Sequence, residues 1–154
     1  MEVEIRTVET VDEARQHIEA LRLGALEALQ DLGLVEAPAN FVETFLDNQF
    51  DKPETLLLIA EQTPGAADLG FCLVGPHSDP LSGLLTPMIL ILSVNSSTRH
   101  VGLARSLAQE ARRQLSARGY KQLAARCAHG DDALISMGER WGFLRTWEFL
   151  AKSD

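Results

Sequence analysis

The stretch Leu92-Ser93-Val94-Asn95-Ser96-Ser97-Thr98-Arg99-His100-Val101-Gly102-Leu103-Ala104 holds the residue types and spacing best suited to chemistry. An apolar run passes into a polar loop, and the loop passes into an amphipathic run. The start of a helix carries unpaired N–H groups and a partial positive charge, so an anion binds there when no bulky side chain intervenes. Gly102 and the small Ala104 leave that backbone approachable, and Arg99 adds a full charge. An isolated R-x-x-G-x-A would mean only a glycine easing helix packing beside a solvated arginine. Its place between a strand and a helix is the context an anion-binding turn requires, and favours that reading. The sequence has neither G-x-x-x-x-G-K-[ST] nor G-x-G-x-x-G, so this is neither a Walker loop nor a dinucleotide fingerprint. Metal chemistry is not expected: the only cysteines, Cys72 and Cys127, lack ligand spacing and read as reduced thiols packed in strands.

The elements that must position this turn follow from periodicity. Val3, Ile5 and Thr7 alternate with charged residues as in a strand with one wet face. Thr10 and Glu13 have the spacing of a capping box, and the stripe Val11, Ala14, Ile18, Leu21, Ala25, Leu29 predicts one helix ending near Gly33. A second helix is predicted from Pro38 to Phe50. Three strands, Thr55 to Glu61, Asp68 to Val74 and Met88 to Val94, are separated by the turn-rich segments Thr63-Pro64-Gly65 and Pro76 to Pro87. Leu103, Leu107, Ala111 and Leu115 then recur every four residues, and Gly119 is placed to end that helix. Tyr120 to Ala128 reads as a strand. Asp131 caps a short helix stopped by Gly142, and Phe143 to Ala151 closes the chain as strand. This order predicts an α/β sandwich with a mixed sheet, in which Met88 to Ala128 forms a right-handed crossover.

The chain has 154 residues, 45% of them hydrophobic and 23% charged, which suits one globular domain over residues 1–154. Its longest apolar runs, Leu56 to Ala60 and Met88 to Leu92, are far shorter than a membrane span, and its first residues do not read as a signal peptide. No membrane association and a cytoplasmic location are therefore expected. Charge is unevenly divided. Residues 1–98 hold 4 basic and 16 acidic side chains, whereas residues 99–126 hold 7 and 1. A basic segment in an acidic protein suggests a local anion site or, equally on charge alone, an exposed helix face rich in arginine, and the acidic remainder argues against nucleic acid and for neutral or cationic partners.

The segment Val94 to Ala104 and the segment Asp131 to Phe143 resemble the GNAT (general N-acetyltransferase) superfamily. The first is similar to the family's V-x-P-x-x-[RQ]-x-x-G-x-[GA], with Ser96 at the proline. The second, ending in Trp141-Gly142-Phe143, resembles the family's final helix and its Gly-Phe. The resemblance implies a GNAT-like α/β sandwich with a mixed, mostly antiparallel sheet, and acetyl-CoA as cosubstrate. By it, the backbone of Arg99, His100, Val101, Gly102, Leu103 and Ala104 would hold the pyrophosphate. Leu92 and Val94 would bond the pantetheine arm where the fourth and fifth strands splay, and Asp131 would lie near the thiol end.

The reaction so implied is direct attack of an amine on the thioester. The family's usual tyrosine falls at Gly138, and Met88 to Val94 carries no carboxylate. His129, at the end of the fifth strand, has a side chain suited to proton exchange and is the candidate catalytic residue, set against a loop or capping role. Glu61, Glu43 and Asp47 would line an acidic amine pocket or relay protons, or else are simply solvated. Tyr120 is expected at the wrong end of the sheet. Trp141 and Trp147 are expected in the core or at a homodimer contact. The leading reading is an N-acetyltransferase acting on a small amine or a protein amino group. The alternatives are an acyl-CoA-binding sensor of the same fold that transfers weakly, and an acidic interaction module with no coenzyme site.

Overall fold

The computed structural model describes residues 3–33, 37–62, 68–95, 102–127, 130–146, 150 and 152. The element order is β1 (Glu4–Val8), α1 (Val11–Arg15), α2 (Ile18–Asp31), α3 (Phe41–Gln49), β2 (Leu56–Glu61), β3 (Asp68–Ser78), β4 (Leu85–Val94), α4 (Leu103–Ala117), β5 (Ala124–Ala125) and α5 (Asp132–Arg140). The strands lie in chain order in one sheet. The first four are antiparallel, and β4 and β5 are parallel, joined across α4. This is the mixed α/β sandwich that the element order predicts.

Period-two alternation sends side chains to the two faces of the sheet, and each face is covered by helices. On one face Leu103, Leu107, Ala108, Ala111 and Leu115 of α4 pack on Leu56, Leu58, Ala60, Cys72, Val74 and Ile89. On the other, Ala14, Leu21, Ala25, Val42 and Leu46 from α1–α3 pack on Val8, Leu57, Ile59, Phe71, Leu73 and Ile91. Burial of each large aliphatic side chain stabilises the fold by about 1.5–3 kcal/mol.

Two irregularities of register shape the site. The β2–β3 register steps from Ala60↔Gly70 to Glu61↔Asp68, which leaves Leu69 as an extra residue. The β3–β4 register steps from Val74↔Ile89 to Leu73↔Ile91, which leaves Leu90 as one. A bulge re-aims the side chains beside it. Consecutive Leu90 and Ile91 accordingly both pack on the α1–α3 face.

The caps read from the sequence form. Thr10 Oγ1 accepts the Glu13 N–H at 3.1 Å, and Asp131 Oδ1 accepts that of Leu134 at 3.1 Å. Gly119 and Gly142 have φ of +98° and +96°. Each ends its helix with the paired C-terminal bonds of a Schellman motif, Tyr120 N–H to Leu115 O and Phe143 N–H to Gly138 O, both 3.0 Å.

Other expectations are corrected. The single stripe from Val11 to Leu29 is two helices, because the chain turns at Gln16 and His17 and the His17 ring reaches Asp68. The third helix starts at Phe41 rather than Pro38. The segment Pro76 to Pro87 is no mere loop, since β3 and β4 continue into it as a two-stranded ribbon beyond the last partners of β2 and β5. Pro76 faces Pro87 there, past the neighbouring strands, where a missing N–H breaks no outer ladder. The strand expected from Tyr120 to Ala128 is only Ala124–Ala125, and Cys127 is exposed rather than packed. Residues 143–146 are not strand. The Thr63-Pro64-Gly65 turn, Ala128 and Trp147 lie outside the described residues.

Candidate functional site

One edge of β4 has no strand partner beyond Ile89 among the described residues. Its other edge stays paired with β3 as far as Gly70↔Val94, whereas β5 pairs only with Met88 and Ile89. The direction of the free amides follows from a single bond: the Asn95 N–H donates to Leu69 O at 2.7 Å, toward β3. Backbone groups alternate sides along a strand, so those of Val94 and Leu92 point away from β3. Gly70↔Val94 and Cys72↔Leu92 are then the close, non-hydrogen-bonded pairs. Gly70 fits this, because a Cβ there would lie 2.7 Å from Ser93 O and 3.2 Å from Val94 Cα. The result is a notch whose wall presents the N–H and C=O of Leu92 and Val94 with no strand partner among the described residues.

Past Val94 the chain reaches α4. Gly102 is its N-cap, at φ +99°, and makes no side-chain cap. The first helical bond is Ser106 N–H to Gly102 O at 2.9 Å, which leaves the amides of Leu103, Ala104 and Arg105 without helical acceptors. A Cβ built on Gly102 meets nothing within 4 Å among the described residues. The described part of the turn has the properties an anion requires: donors, a favourable dipole and room. Arg99, His100 and Val101 lie outside the described residues, as does His129. Asp131, one turn before the middle of α5, is committed to its cap.

The acids that might have formed an amine pocket are already paired. Glu61 is only 1% exposed, and its Oε1 accepts from Arg6 Nε at 2.9 Å. Arg6 also pairs with Glu13. Arg22 joins Glu43 and Glu19, and Arg15 joins Asp47 and Asp12. The Glu43 carboxyl is held below its ordinary value by its own backbone N–H and by Arg22, against the burial that raises it. These ion pairs fasten β1, β2, α1, α2 and α3 to one another, while Glu43 Oε2 is buried with no hydrogen-bond partner among the described residues.

Of the other groups, Tyr120 lies away from the notch. Tyr120 donates its hydroxyl to buried Glu54, whose hydrogen bond raises the phenol's pKa; Glu54 precedes β2, at the sheet end opposite Val94. Burial pushes the Cys72 thiol up to about 12 and makes it inert. At Gly138 an added Cβ would meet only Phe143, at 3.9 Å, so no neighbouring described side chain takes that room. Trp141 is half-buried against the α4-face core. Sequence reasoning did not single out His17, whose Nδ1 lies 2.8 Å from Asp68 Oδ2, nor the bulge at Leu90. His17 and Asp68 are 51 residues apart and carry no local signal.

A mixed sheet with a bulged, half-free fourth strand feeding a helix start defines a class: the chain has the fold of the GNAT superfamily. It resembles the aminoglycoside N-acetyltransferase AAC(6')-Iy in complex with the bisubstrate analogue CoA-S-monomethyl-acetylneamine, with a TM-score of 0.71 and 15% identity over 100% of this chain and 99% of that one. It also resembles the ribosomal-protein-alanine N-acetyltransferase of Brucella melitensis biovar Abortus 2308, with a TM-score of 0.66 and 16% identity over 99% and 100%. No family model and no curated protein matches the sequence.

Proposed function

We propose that this chain is an acyl-CoA-dependent N-acetyltransferase that transfers the acetyl group of acetyl-CoA to a primary amine by direct attack. The reading is carried by Leu92 and Val94, whose outward backbone groups have no strand partner among the described residues, and by the start of α4 at Gly102, where no side-chain cap is found among them. The complexes of related fold that contain CoA or a CoA analogue support it. Acetyl-CoA supplies the activated acyl group. The amides of Gly102, Leu103 and Ala104, with Arg99, His100 and Val101 ahead of them, hold the pyrophosphate. Leu92 and Val94 hold the pantetheine arm, and Asp131 stands at the thiol end.

In this mechanism the chain mostly binds and orients. A fixed N–H from the β4 edge stabilises negative charge developing on the acyl oxygen, an effect typically worth about 2.7–4 kcal/mol. Alignment of amine and carbonyl supplies much of the rest. The amine must reach the site neutral, and His129 is the side chain assigned to accept its proton. The acceptor is a small amine or a protein amino group. Saturating acetyl-CoA, at 100 times its dissociation constant, should stabilise the protein by about 2.7 kcal/mol. Thiol release across an amine panel then tests transfer, and a protein that acetyl-CoA leaves unstabilised would refute the reading.

A second reading, acyl-CoA binding with weak transfer, is favoured by the ion-paired state of Glu43, Asp47 and Glu61 and by Gly138 at the position of the usual tyrosine. It predicts the same stabilisation without thiol release.

A further inference from the structure

His17 Nδ1 lies 2.8 Å from Asp68 Oδ2, and the two side chains are only 16% and 18% exposed. A carboxylate can only accept, so the Nδ1–H donates. The bond joins two irregular places. His17 stands at the break between α1 and α2, and its ring makes no cap to the helix that follows. Asp68 opens β3 beside the bulge at Leu69, where the ladder to β2 is interrupted. A strand end beside a bulge has fewer ladder bonds to hold it, so a part-buried side-chain bond restrains it more than it would a regular strand.

The next two residues of β3 carry that restraint to the notch. Leu69 O accepts the Asn95 N–H at 2.7 Å, and the Leu69 side chain is buried in the core on the α4 face. Gly70 faces Val94 so closely that an added Cβ would lie 2.7 Å from Ser93 O. Residues 68–70 therefore tie the end of β4 to the break between α1 and α2 by a side-chain bond, a backbone bond and a close contact in immediate succession. Neighbouring ion pairs do not substitute for this tie. Arg6 binds Glu61 and Glu13, and Arg15 binds Asp47 and Asp12, so none of them reaches β3. We propose that His17 and Asp68 form a positioning clasp for the coenzyme: by fixing the bulge of β3, their bond holds Val94 and Asn95 in the line that receives the pantetheine arm. β4 itself stands between Asp68 and the edge that faces away from β3, so the pair acts through the strand. The inference rests on the acyl-transfer reading and adds a residue pair that sets the geometry of the same notch.

The test compares wild type with His17→Ala, Asp68→Ala, the double variant, and His17→Asn, whose side-chain amide offers a donor near the position of Nδ1. Arg15→Gln is the control, because it breaks a tie between α1 and α3 and none to β3. Two quantities are read well below the melting temperature of every variant: exchange of the Asn95 amide by NMR without ligand, and acetyl-CoA affinity by isothermal titration. In His17→Ala and Asp68→Ala the Asn95 amide should exchange about tenfold faster, and acetyl-CoA should bind about fivefold to tenfold more weakly. The double variant should be no worse than either single one, since both remove the same bond. His17→Asn should restore both quantities to within about twofold of wild type by replacing the donor. Arg15→Gln should leave both unchanged. Wild-type exchange or affinity in the alanine variants overturns the inference. So do additive losses in the double variant, failure of His17→Asn to restore them, or the same losses in Arg15→Gln. Exchange is read without ligand, so the two failures are told apart: wild type that takes up no acetyl-CoA refutes the acyl-transfer reading, whereas unchanged Asn95 exchange in the alanine variants refutes the clasp alone.

Discussion

Replacing Gly102 with Glu, with Gly102→Ala as its partner, separates two consequences of the helix start. Gly102 has φ +99°, and a Cβ there meets nothing within 4 Å among the described residues, so the first carbon of either side chain meets no clash with them. Both meet the left-handed backbone, which costs a non-glycine residue about 1–2 kcal/mol. In a chain of this length each kcal/mol lowers Tm by about 2–4 °C, so both variants should melt about 2–8 °C below wild type. Only glutamate adds charge. Two like unit charges 4 Å apart at an effective dielectric of 20 repel by about 4 kcal/mol, and each 1.4 kcal/mol is tenfold in affinity. Acetyl-CoA should therefore bind Gly102→Glu about a thousandfold more weakly, and Gly102→Ala within a few-fold of wild type. Isothermal titration and ligand-dependent melting read both effects. Full affinity in the glutamate variant, or equal loss in both variants, would show that the diphosphate does not sit at this turn.

Three further outcomes are expected. Gly70→Ala drives a Cβ into Ser93 O and Val94 Cα, which are backbone and yield poorly; a loss of about 2 kcal/mol in urea unfolding should come with weakened acetyl-CoA binding, because Val94 is displaced. In native protein one thiol, exposed Cys127, should react promptly with an aromatic disulfide reagent, and Cys72, pushed up to about 12 by burial, only after unfolding; two prompt thiols would contradict the packing of β3. The Glu110 carboxyl is lowered to about 2, chiefly by its hydrogen bond with Arg113. Its stabilising contribution is complete above the unfolded carboxylate range and is lost as pH falls toward that value. Arg113→Gln should thus be less stable than wild type at neutral pH and converge with it near the acid limit, as measured by urea midpoints across pH.

Much of the frame was legible in the chain because its signals are local. Asp131 before Leu134, and Gly119 and Gly142 after their helices, act within a few residues and form as the spacing predicts, whereas of the Thr10–Glu13 capping box only the Thr10 half forms, the Glu13 carboxylate turning to Arg6 and the Glu9 N–H. The four-residue recurrence from Leu103 to Leu115 fixed the face that α4 buries. The resemblance carried by the segment from Val94 to Ala104 pointed to the fold that the whole chain adopts.

The tertiary structure decided what depends on residues remote in sequence. A uniform run from Met88 to Leu92 gives no sign that Leu90 is a bulge, because a bulge exists only in register with β3. The break at Gln16 and His17 lies inside an unbroken apolar stripe and is held by Asp68, 51 residues away. Glu43, Asp47 and Glu61 looked like free acids until folding set Arg22, Arg15 and Arg6 against them. The open edge of β4 likewise arises where β5 stops pairing after Ala125, and no single segment encodes it. Side-chain periodicity and capping are written in neighbours a turn apart, whereas strand register and ion pairing are settled only when distant segments meet.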